Sequence, residues 1–443
     1  MVLSKEDKRK MQIQRVISFV IIAIAYCFVQ FHRNSTGVIK GELSSFITSD
    51  AAFGTLSSMY FYPYMLMQIP IGALLDMIGT RKTVSIGCAF AAAGSLIFGT
   101  SQSFAVACIG RVLIGIGVSA PVVSMQKFIT NWFPERRTAS AFSTASLIGY
   151  SGALLAQYPL AWLIEVVSWR AIFLVCVGIS AATAILCWIF VKDTPKACGF
   201  PSIAELEGRA ERPRKSLTIS ETIKAIGRTF ANRYVWPLLV ICMIHQGLQG
   251  LFSATWAVPY LTSVYQMSKM EATGYTSAMM AGMILFGFTV GKISDRIRSR
   301  KIVLAFISGM MAVLWACLAY GPNRFMSVPL LWVVMFLMGM SGTGIQIIFA
   351  YSREVNDPGF VGVAVTAVNF AGMLCSAFMP TLAGVLLDKY KLINTDAISY
   401  QKTFTICVIL SAVAFIMSVC LKETHCVNRY YDFVKPGEKK ETN

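Results

Sequence analysis

The stretch GALLDMIGTRK at residues 72–82 returns in altered form as GKISDRIRSRK at residues 291–301. In both copies an Asp follows the first Gly by four positions, and an Arg-Lys pair closes the stretch. The first copy lies in the first half of the 443-residue chain and the second copy lies in the other half. Because internal repeats in a chain usually correspond to repeated structural units, this pattern predicts a duplicated fold.

The composition indicates the solvent in which this unit folds. Of the 443 residues, 56% are hydrophobic and only 14% are charged, and the mean hydropathy is +0.62. Soluble proteins are about 25% charged, so this chain has more apolar surface than a soluble core can bury. A membrane-spanning helix needs about 20 apolar residues, and long apolar runs recur along the sequence. The chain is therefore predicted to be a polytopic α-helical membrane protein.

We predict twelve membrane-spanning helices. The spans cover approximately residues 15–39, 52–78, 83–101, 103–130, 139–166, 170–191, 234–264, 271–293, 302–320, 328–352, 360–388 and 402–421. They predict an all-α fold of two pseudo-symmetric six-helix bundles, at residues 1–191 and 234–421, joined by a polar loop at residues 192–233 and followed by a tail at residues 422–443.

The second part of the polar loop is predicted to form an amphipathic helix. Thr218 and Glu221 have the spacing of a capping box. Ile223, Ile226 and Phe230 then recur at helical spacing and would form one apolar stripe. Such a helix would lie along the face of the membrane.

The net charge of +17 raises the question of nucleic-acid binding, and its distribution argues against it. Most of the 39 Lys and Arg residues fall outside the spans on the side of the N-terminus. The positive-inside rule then predicts that both termini and the polar loop lie in the cytoplasm of a cell with this protein in its inner (plasma) membrane. The first apolar run extends past any plausible cleavage site, so we expect an uncleaved helix rather than a signal peptide. The expected surroundings are lipid, without a nucleic-acid partner.

The sequence shows no signature of enzyme chemistry. It contains no P-loop, no HExxH and no Gly-rich nucleotide turn, and its twelve Cys residues form no CxxC pair. We therefore expect no enzymatic activity, no metal and no cofactor, and transport has to draw on an ion or solute gradient.

The repeated pattern, placed after the second and the eighth span, resembles the signature loop of the major facilitator superfamily. The segments GRVLIGIG from Gly110, NWFPERRTASAFS from Asn131 and SWRAIF from Ser168 also resemble segments of that family. The resemblance covers nearly the whole chain, although the second signature departs from the pattern at Ser299. A weaker echo, GVLLD, ends at Asp388. The resemblance implies a secondary transporter that works by alternating access, similar to organic-anion, organophosphate and lysosomal dipeptide transporters.

The resemblance also implies a gating role for the repeated pattern, because ion pairs of this loop latch helix ends in the family. The gating residues that we expect are Gly72, Asp76, Arg81, Lys82, Arg136, Gly291, Asp295, Arg300 and Lys301. The two glycines are expected to let neighbouring helices approach closely, and Asp76 is expected to pair with Arg81 or Arg136. The alternative is that these charges only anchor loops at the lipid headgroups.

Ionisable residues inside spans cost about 2.5–3.5 kcal/mol each, so every one is a candidate for function. The spans contain Arg and His in this position, whereas all Asp and Glu residues lie near span ends. A cavity with cationic residues and no carboxylate favours an anionic, carboxylate-bearing substrate. The substrate-binding residues that we predict are His32, Arg33, Arg111, Tyr150, Gln157, His245, Gln249 and Asn369.

The type of anion can be narrowed by the resemblance. Organophosphate antiporters of this superfamily place a substrate-binding Arg at the position of Arg33 and a second Arg in span 7. Here span 7 offers His245, Gln246 and Gln249 instead. A carboxylate is therefore favoured over a doubly charged phosphate, as in an organic acid, an amino acid or a dipeptide.

Alternatives remain open at this point. Arg33 can extend to the headgroups, Arg111 can link helices, and His245 can be a satisfied polar residue or a proton carrier. A transporter-like solute sensor and an organophosphate or lipid translocator are alternatives to the transporter. The expected partner is a small solute, with a coupling proton or an exchanged anion, and the chain is expected to act as a monomer.

Overall fold

The computed structural model describes residues 4–206, 224, 227–322, 326–357 and 360–433. The regular structure of these residues is helical, with no strand among them. Helices of eight or more residues are labelled α1 to α16 below. The core of the predicted amphipathic helix, residues 218–223 and 225–226, lies outside the described residues, while residues 227–231 are helical.

The internal contacts divide the chain into two compact units. Unit 1 consists of Met1–Thr48 and Met59–Ser216, and unit 2 consists of Ser49–Ser58 and Leu217–Asn443. The division falls within the polar loop, and one short segment of the first half, Ser49–Ser58, belongs to unit 2 by its contacts.

The helices of the first half cover the predicted spans. Two of these helices are long, and some predicted spans are divided between two helices. They are α1 Lys5–Asn34, α2 Asp50–Gly99, α3 Phe104–Val118, α4 Ala120–Trp132, α5 Glu135–Leu155, α6 Tyr158–Val166 and α7 Trp169–Phe190. Helix α2 contains the second and third predicted spans, which meet at Gly79 with φ 83°. Glycine adopts this backbone conformation at little steric cost, so Gly79 ends one arm and begins the next.

The helices of the second half cover the remaining predicted spans in chain order. They are α8 Val235–Leu251, α9 Ala257–Val264, α10 Lys269–Gly287, α11 Val290–Ile297, α12 Arg300–Tyr320, α13 Val328–Ser341, α14 Gly344–Val355, α15 Val361–Lys391 and α16 Asp396–Cys420. A π-helical turn, Phe252–Trp256, joins α8 to α9.

Ten helical segments of the described part are long and apolar enough to cross a membrane, and α5 with α6, bent by 41°, makes an eleventh. The first arm of α2, predicted as the second span, is helical but is not among them. Each unit has its own apolar core. In unit 1 it surrounds Phe128 and Trp132, and in unit 2 it surrounds Ile347 and Tyr351.

Close helix contacts occur at glycines other than those predicted. A Cβ on Gly72 or Gly291 would meet no described atom within 4 Å, so the expectation of close helix approach at these two positions is wrong. Backbones instead approach each other closely at Gly117, against Gly87, and at Gly339, against Met279.

Candidate substrate site and motif networks

Arg33 lies in the last turn of α1 within an aromatic cluster of unit 1. Its guanidinium carbon is 5.8 Å from the ring centre of Phe61 and 5.1 Å from that of Tyr64. The hydroxyl of Tyr60 donates to the carbonyl oxygen of Val29 at 3.1 Å, and the hydroxyls of Tyr60 and Tyr150 are electrostatic neighbours of Arg33. We call Arg33 with Tyr60, Phe61, Tyr64 and Tyr150 the Arg33 cluster.

The local sequence explains how this cluster forms. Tyr64 lies four residues after Tyr60 and three residues after Phe61 on α2, and this spacing brings its side chain next to each of theirs. No carboxylate of the described residues forms an ion pair with Arg33, and its buried Nε atom has no hydrogen-bond partner there. Among the described residues, aromatic rings and phenolic hydroxyl groups surround the cation.

Arg111 on α3 is a second cation beside this cluster. It is 1% exposed, and its Nη1 atom donates a hydrogen bond of 3.0 Å to the carbonyl oxygen of His32. Its guanidinium carbon lies 5.0 Å from the ring centre of Tyr60. Because the hydrogen bond joins α3 to α1, the structural role considered for Arg111 has direct support, but its Nε and Nη2 atoms have no described partner.

His32 points into the interior of unit 1. It is fully buried, and its ring contacts Phe28, Phe31 and Phe173. Its Nε2 atom lies 3.5 Å from the hydroxyl oxygen of Ser95. This position argues for packing rather than for solute contact, and the predicted binding role of His32 stays a prediction.

Gln157 occupies the break between α5 and α6. It is 1% exposed and its Nε2 atom donates to the carbonyl oxygen of Asn34, the residue after Arg33, at 3.5 Å. The break therefore places an amide side chain beside the end of α1.

In unit 2, His245, Gln246 and Gln249 lie on α8. Gln246, which was not among the predicted site residues, donates to the Oδ1 atom of Asn369 on α15 at 3.1 Å. The Nε2 atom of Gln249 lies 2.9 Å from the sulfur of Met283. The predicted polar residues of this half are therefore paired within unit 2, and their role in binding stays a prediction.

His245 and Gln249 line a cavity of about 20 Å³ inside unit 2. Its polar lining also includes Ser253 and Ser341, and its apolar lining is rich in methionine. A cavity needs roughly 10–15 Å³ to hold one water molecule, so this space can hold a single water next to the imidazole.

The second copy of the motif forms a closed ion-pair network. The Nη1 atom of Arg300 lies 2.8 Å from the carboxylate of Asp295, and its Nε atom lies 2.9 Å from that of Glu354. Nη1 also donates to the hydroxyl of Ser294 at 3.0 Å. The Arg300 side chain is only 10% exposed, so its charge is neutralised in a largely buried position.

A third acid completes this network from the segment after α16. Glu423 accepts hydrogen bonds from the Ser299 hydroxyl and, at 3.0 Å, from the backbone N–H of Arg300. Burial opposes ionisation of Glu423, but these hydrogen bonds outweigh it and lower its pKa. The hydroxyl of Thr424 donates a hydrogen bond to the carboxylate of Glu354. The carboxylate of Glu423 thus caps the first turn of α12, where the helix N-terminus favours a negative charge.

The first copy forms a different set of contacts. Asp76 pairs with Lys127 of α4 at 2.7 Å, so the expected pairing with Arg81 is wrong. The Arg81 side chain instead lies over the ring of Trp188, 5.2 Å from its centre. The side chain of Arg136 lies outside the described residues. The physical reason is that α2 bends at Gly79, which separates Asp76 and Arg81 onto different arms.

The remaining two motif lysines differ in exposure. Lys82 is exposed and Lys301 is half-buried. Neither forms an ion pair with a described carboxylate in the network of its own copy, and their gating role stays a prediction.

Two capping acids were missed by the sequence analysis. Asp193 accepts a hydrogen bond of 2.8 Å from the backbone N–H of Arg81, as Glu423 does from Arg300. The signal was present as a second internal repeat, VKDT at residues 191–194 and LKET at residues 421–424, after the last helix of each half. In both repeats the backbone carbonyl of the Lys accepts a hydrogen bond. The indole of Trp132 donates to Lys192, and the hydroxyl of Tyr351 donates to Lys422.

The turn of the second copy has no glycine at the position of Gly79. Arg298 occupies it with φ 54°, a left-handed conformation. For a residue other than glycine this conformation costs about 1–2 kcal/mol. The network around Arg300 follows directly after this turn and holds it in place.

The weaker echo GVLLD caps the N-terminus of α2 within unit 2. Asp388 accepts hydrogen bonds from the backbone N–H groups of Asp50 and Ala51 at 2.8 and 2.9 Å. Lys391 pairs with the Asp50 carboxylate at 2.8 Å. The acid of this weaker echo therefore lies at a helix N-terminus, unlike Asp76 and Asp295, which pair with basic side chains.

This organisation of helices and motifs can be compared with known proteins. The family model of the Major Facilitator Superfamily matches residues 22–380 and 250–438. The chain belongs to the Major Facilitator Superfamily. It is a multi-pass membrane protein of a transporter family and not an enzyme, as the sequence predicted. The family implies a small-molecule substrate.

Several curated members of the superfamily are similar in sequence along most of their length. A D-galactonate transporter of Escherichia coli O6:H1 is 24% identical over 400 residues, which is 85% of this chain and 90% of the relative. A probable L-galactonate transporter of Escherichia coli K12 is 24% identical over 412 residues, 86% of this chain and 85% of the relative. A probable galactarate/D-glucarate transporter of the same strain is 23% identical over 422 residues, 89% of this chain and 93% of the relative.

Solved structures of this superfamily have the same fold. A bacterial homologue of the human lysosomal transporter Spinster gives a TM-score of 0.71 at 17% identity, over 92% of this chain and 98% of that chain. The nucleoside transporter NupG gives 0.73 at 12% identity, over 92% and 99%. These identities are low, so the likeness confirms the predicted twelve-helix fold class and carries no conclusion about the substrate.

Proposed function

We propose that this protein transports a small organic acid across the membrane by alternating access, and that Arg33 binds the carboxylate of the substrate. The observation that supports this is a guanidinium held in the membrane by aromatic and hydroxyl groups without a described carboxylate partner. A buried cation without a counter-ion is unfavourable, and an anionic solute would remove that penalty. A planar carboxylate matches the guanidinium through two parallel hydrogen bonds.

The neighbours of Arg33 suit a hydroxylated acid. Tyr60, Tyr64 and Tyr150 each present a phenolic hydroxyl that can donate or accept a hydrogen bond. Gln157 adds an amide nearby. The relatives whose names refer to galactonate, galactarate and glucarate transport sugar acids, which have one or two carboxylates and several hydroxyl groups. We therefore propose sugar acids as the first substrate class to test.

The charge balance of the cluster supports one kind of carboxylate over the others. An amino acid or a dipeptide also carries an ammonium group, which needs an acceptor such as a carboxylate. In the described part of unit 1, the acids Asp76 and Asp193 are engaged at the motif end of the helices and none lies in the Arg33 cluster. An organic acid without an ammonium group is therefore favoured.

A phosphate dianion fits less well. It would need a second accessible guanidinium, but that of Arg111 is 1% exposed and is held against the His32 carbonyl. One guanidinium is left for the solute, which matches a single carboxylate. No described contact favours a sensor or a lipid translocator over this transporter.

The motif networks supply the proposed gates. The Arg300 network joins α11, α12 and α14, and the Asp76 pair joins α2 to α4, so both would have to rearrange if these helix ends separate. We further propose, from the distribution of Lys and Arg, that this end of the helices and both termini face the cytoplasm across the plasma membrane.

The proposal is tested with Arg33→Lys and Arg33→Gln in proteoliposomes. Uptake and exchange of D-galactonate, galactarate and glucarate would be measured for each variant. Hydrogen bonds to charged groups are worth about 1.5–3 kcal/mol, so Arg33→Gln should weaken binding by about 10- to 150-fold. Arg33→Lys keeps the charge but loses the planar fork, and its affinity should lie between those of Arg33→Gln and the wild type.

Arg170→Lys is the matched control. Arg170 donates to the carbonyl of Ser101 at 2.8 Å and lies over the ring of Trp169, so it has its own partners outside the cluster. This variant should transport normally. Normal transport by folded Arg33→Gln would overturn the proposed role of Arg33.

A further inference from the structure

Three further polar residues of unit 1 continue the faces of α1 and α2 that carry the Arg33 cluster. On α1, Tyr26 and Gln30 lie seven and three residues before Arg33, and this spacing puts all three on one helix face. On α2, Gln68 lies four residues after Tyr64, which puts it on the face of Tyr64. A polar stripe therefore extends from the cluster along each of the two helices.

The two stripes extend from the cluster in the same direction. Consecutive spanning helices run in opposite directions, so residues before Arg33 on α1 and residues after Tyr64 on α2 lie on the same side of the cluster. Gln68 is one helical turn beyond Tyr64, about 6 Å further along the axis. A solute whose carboxylate lies at Arg33 can extend along this side.

Tyr26 lies where the cluster and the stripes meet. Its hydroxyl is an electrostatic neighbour of the hydroxyls of Tyr64 and Tyr150 and of the Arg33 guanidinium. Its ring fits against α5 because Gly149 has no side chain, since a Cβ there would lie 2.7 Å from the ring. The phenol of Tyr26 is thus held next to the proposed carboxylate site.

Gln68 has a hydrogen-bonding group without a partner. Its side chain is half-buried, and its Nε2 atom is buried and forms no hydrogen bond within the part of the chain that the structure describes. A buried N–H group without a partner is unfavourable, and most buried polar groups in proteins are hydrogen-bonded. A ligand that accepts from this amide, one turn from the proposed carboxylate site, would remove that penalty.

The helices around these residues carry no further charge at this depth. Residues 16–31 of α1, 51–75 of α2 and 138–155 of α5 contain no Lys, Arg, Asp or Glu. Arg111 is held against the carbonyl of His32. The groups that extend beyond Arg33 are therefore neutral phenols and amides, which can hydrogen-bond hydroxyl groups but cannot neutralise a second carboxylate.

We propose that Gln68 and Tyr26 bind the end of the solute that is remote from its carboxylate, and that this neutral subsite selects sugar acids with one carboxylate over those with two. This inference rests on the proposed function, because it takes Arg33 as the carboxylate site. D-Galactonate has a hydroxyl group at its remote end, with which the amide of Gln68 can pair. Galactarate and glucarate have a carboxylate there, and its burial without a counter-ion is unfavourable.

The test measures exchange of labelled D-galactonate in proteoliposomes, with unlabelled D-galactonate or galactarate as the competitor. The wild type should bind D-galactonate more tightly than galactarate by about tenfold or more, because a charged group that is buried without a partner costs more than a neutral one. The ratio of the two inhibition constants does not depend on how much of the protein is folded.

Gln68→Leu and Tyr26→Phe each remove one neutral hydrogen-bonding group from the subsite. Each should weaken binding of D-galactonate by about 2- to 12-fold, which is the effect of one hydrogen bond. Both substitutions keep the size of the side chain nearly constant, so the helices should pack as before.

Gln68→Lys places an ammonium group in the subsite. A cation there can pair with the second carboxylate, so the ratio of the inhibition constants should move toward galactarate by about tenfold or more. If Gln68→Lys does not fold, the affinities of Gln68→Leu and Tyr26→Phe decide.

Gln14→Leu and Gln14→Lys are the matched controls. Gln14 lies on α1 nineteen residues before Arg33, and its Nε2 atom donates to the carbonyl of Phe190 at 2.6 Å. Both variants should keep the affinity for D-galactonate and the ratio of the inhibition constants of the wild type.

The outcomes separate the two proposals. Absence of exchange in the wild type with D-galactonate, galactarate and glucarate would refute the proposed function itself. Equal or tighter binding of galactarate by the wild type, unchanged affinity for D-galactonate in Gln68→Leu and Tyr26→Phe, or an unchanged ratio in folded Gln68→Lys would overturn the neutral subsite and leave organic-acid transport standing.

Discussion

The two copies of the repeated motif have nearly the same residues but different partners. In unit 2, Arg300 is 10% exposed and lies between two carboxylates. In unit 1, the equivalent Arg81 lies on Trp188, and the acid Asp76, whose side chain is 58% exposed, pairs with Lys127. The difference shows that the motif specifies where charges are placed and that the neighbouring helices decide how each charge is neutralised.

The energetic weight of the copies should differ for the same reason. Exposed ion pairs contribute about 0–1 kcal/mol because water screens them. A buried pair that loses one partner leaves an uncompensated charge, which costs about 3–5 kcal/mol.

Arg300→Gln should lower the stability of the protein most. It leaves Glu354, which is 8% exposed, without its cation, so we expect a loss of about 3–5 kcal/mol. Arg81→Gln, its matched counterpart, loses only a cation–π contact of about 0.5–1 kcal/mol. Thermal unfolding of the two variants in the same detergent measures both, and equal shifts would show that the copies are energetically equivalent.

Glu423→Gln should weaken the first turn of α12 by about 1 kcal/mol, the usual effect of losing a helix cap. Because folding lowers the pKa of Glu423, its stabilising contribution is present above the pKa of the unfolded chain, about 4.3, and is lost as the pH falls through the folded value. The difference in unfolding temperature between wild type and Glu423→Gln should therefore be constant near pH 7 and shrink below about pH 4.

Asp193→Asn is the counterpart of that substitution in unit 1. Since Asp193 also accepts from the first turn that follows the motif, its loss at pH 7 should match that of Glu423→Gln within a factor of about two. A much smaller effect would mean that the cap acts only together with a buried ion-pair network.

Asp76→Asn should change stability by less than about 1 kcal/mol. Its effect should appear in transport, where the maximal rate falls several-fold while the affinity for the substrate is kept, because Asp76 contacts Lys127 and no residue of the Arg33 cluster. Uptake kinetics would check this. A normal maximal rate with a large loss of affinity would contradict a gating role.

Gly72→Ala and Gly291→Ala should have the smallest effect. A Cβ at either position meets no described atom within 4 Å, so stability should change by less than about 1 kcal/mol and can increase, since alanine favours helix. Gly339→Ala is the control, because its Cβ would collide with the backbone at Met279. A large loss of stability in Gly72→Ala would contradict this expectation and would indicate close packing at the motif glycines.

Much of the candidate site could be predicted from residue type and position alone. Arg33, Arg111 and His245 stand out because charged or titratable groups are rare inside apolar runs, whatever their contacts are. Their surroundings could not be predicted, since the aromatic rings around Arg33 come from α2, the partner of Arg111 is a backbone carbonyl of α1, and the hydrogen-bond partner of His245 is a hydroxyl of α12.

The sequence by itself determined the membrane class, the duplicated organisation and the superfamily, because apolar run length and repeated motifs are local properties of the chain. The same five-residue spacing separates Asp76 from Arg81, which do not pair, and Asp295 from Arg300, which do. Only the tertiary structure decided that Glu354 also pairs with Arg300, that Asp76 pairs with Lys127 and that Asp193 and Glu423 cap the following helices. The physical reason is that ion pairs and caps are short-range contacts between segments distant in sequence, and helix packing alone determines which of these segments meet.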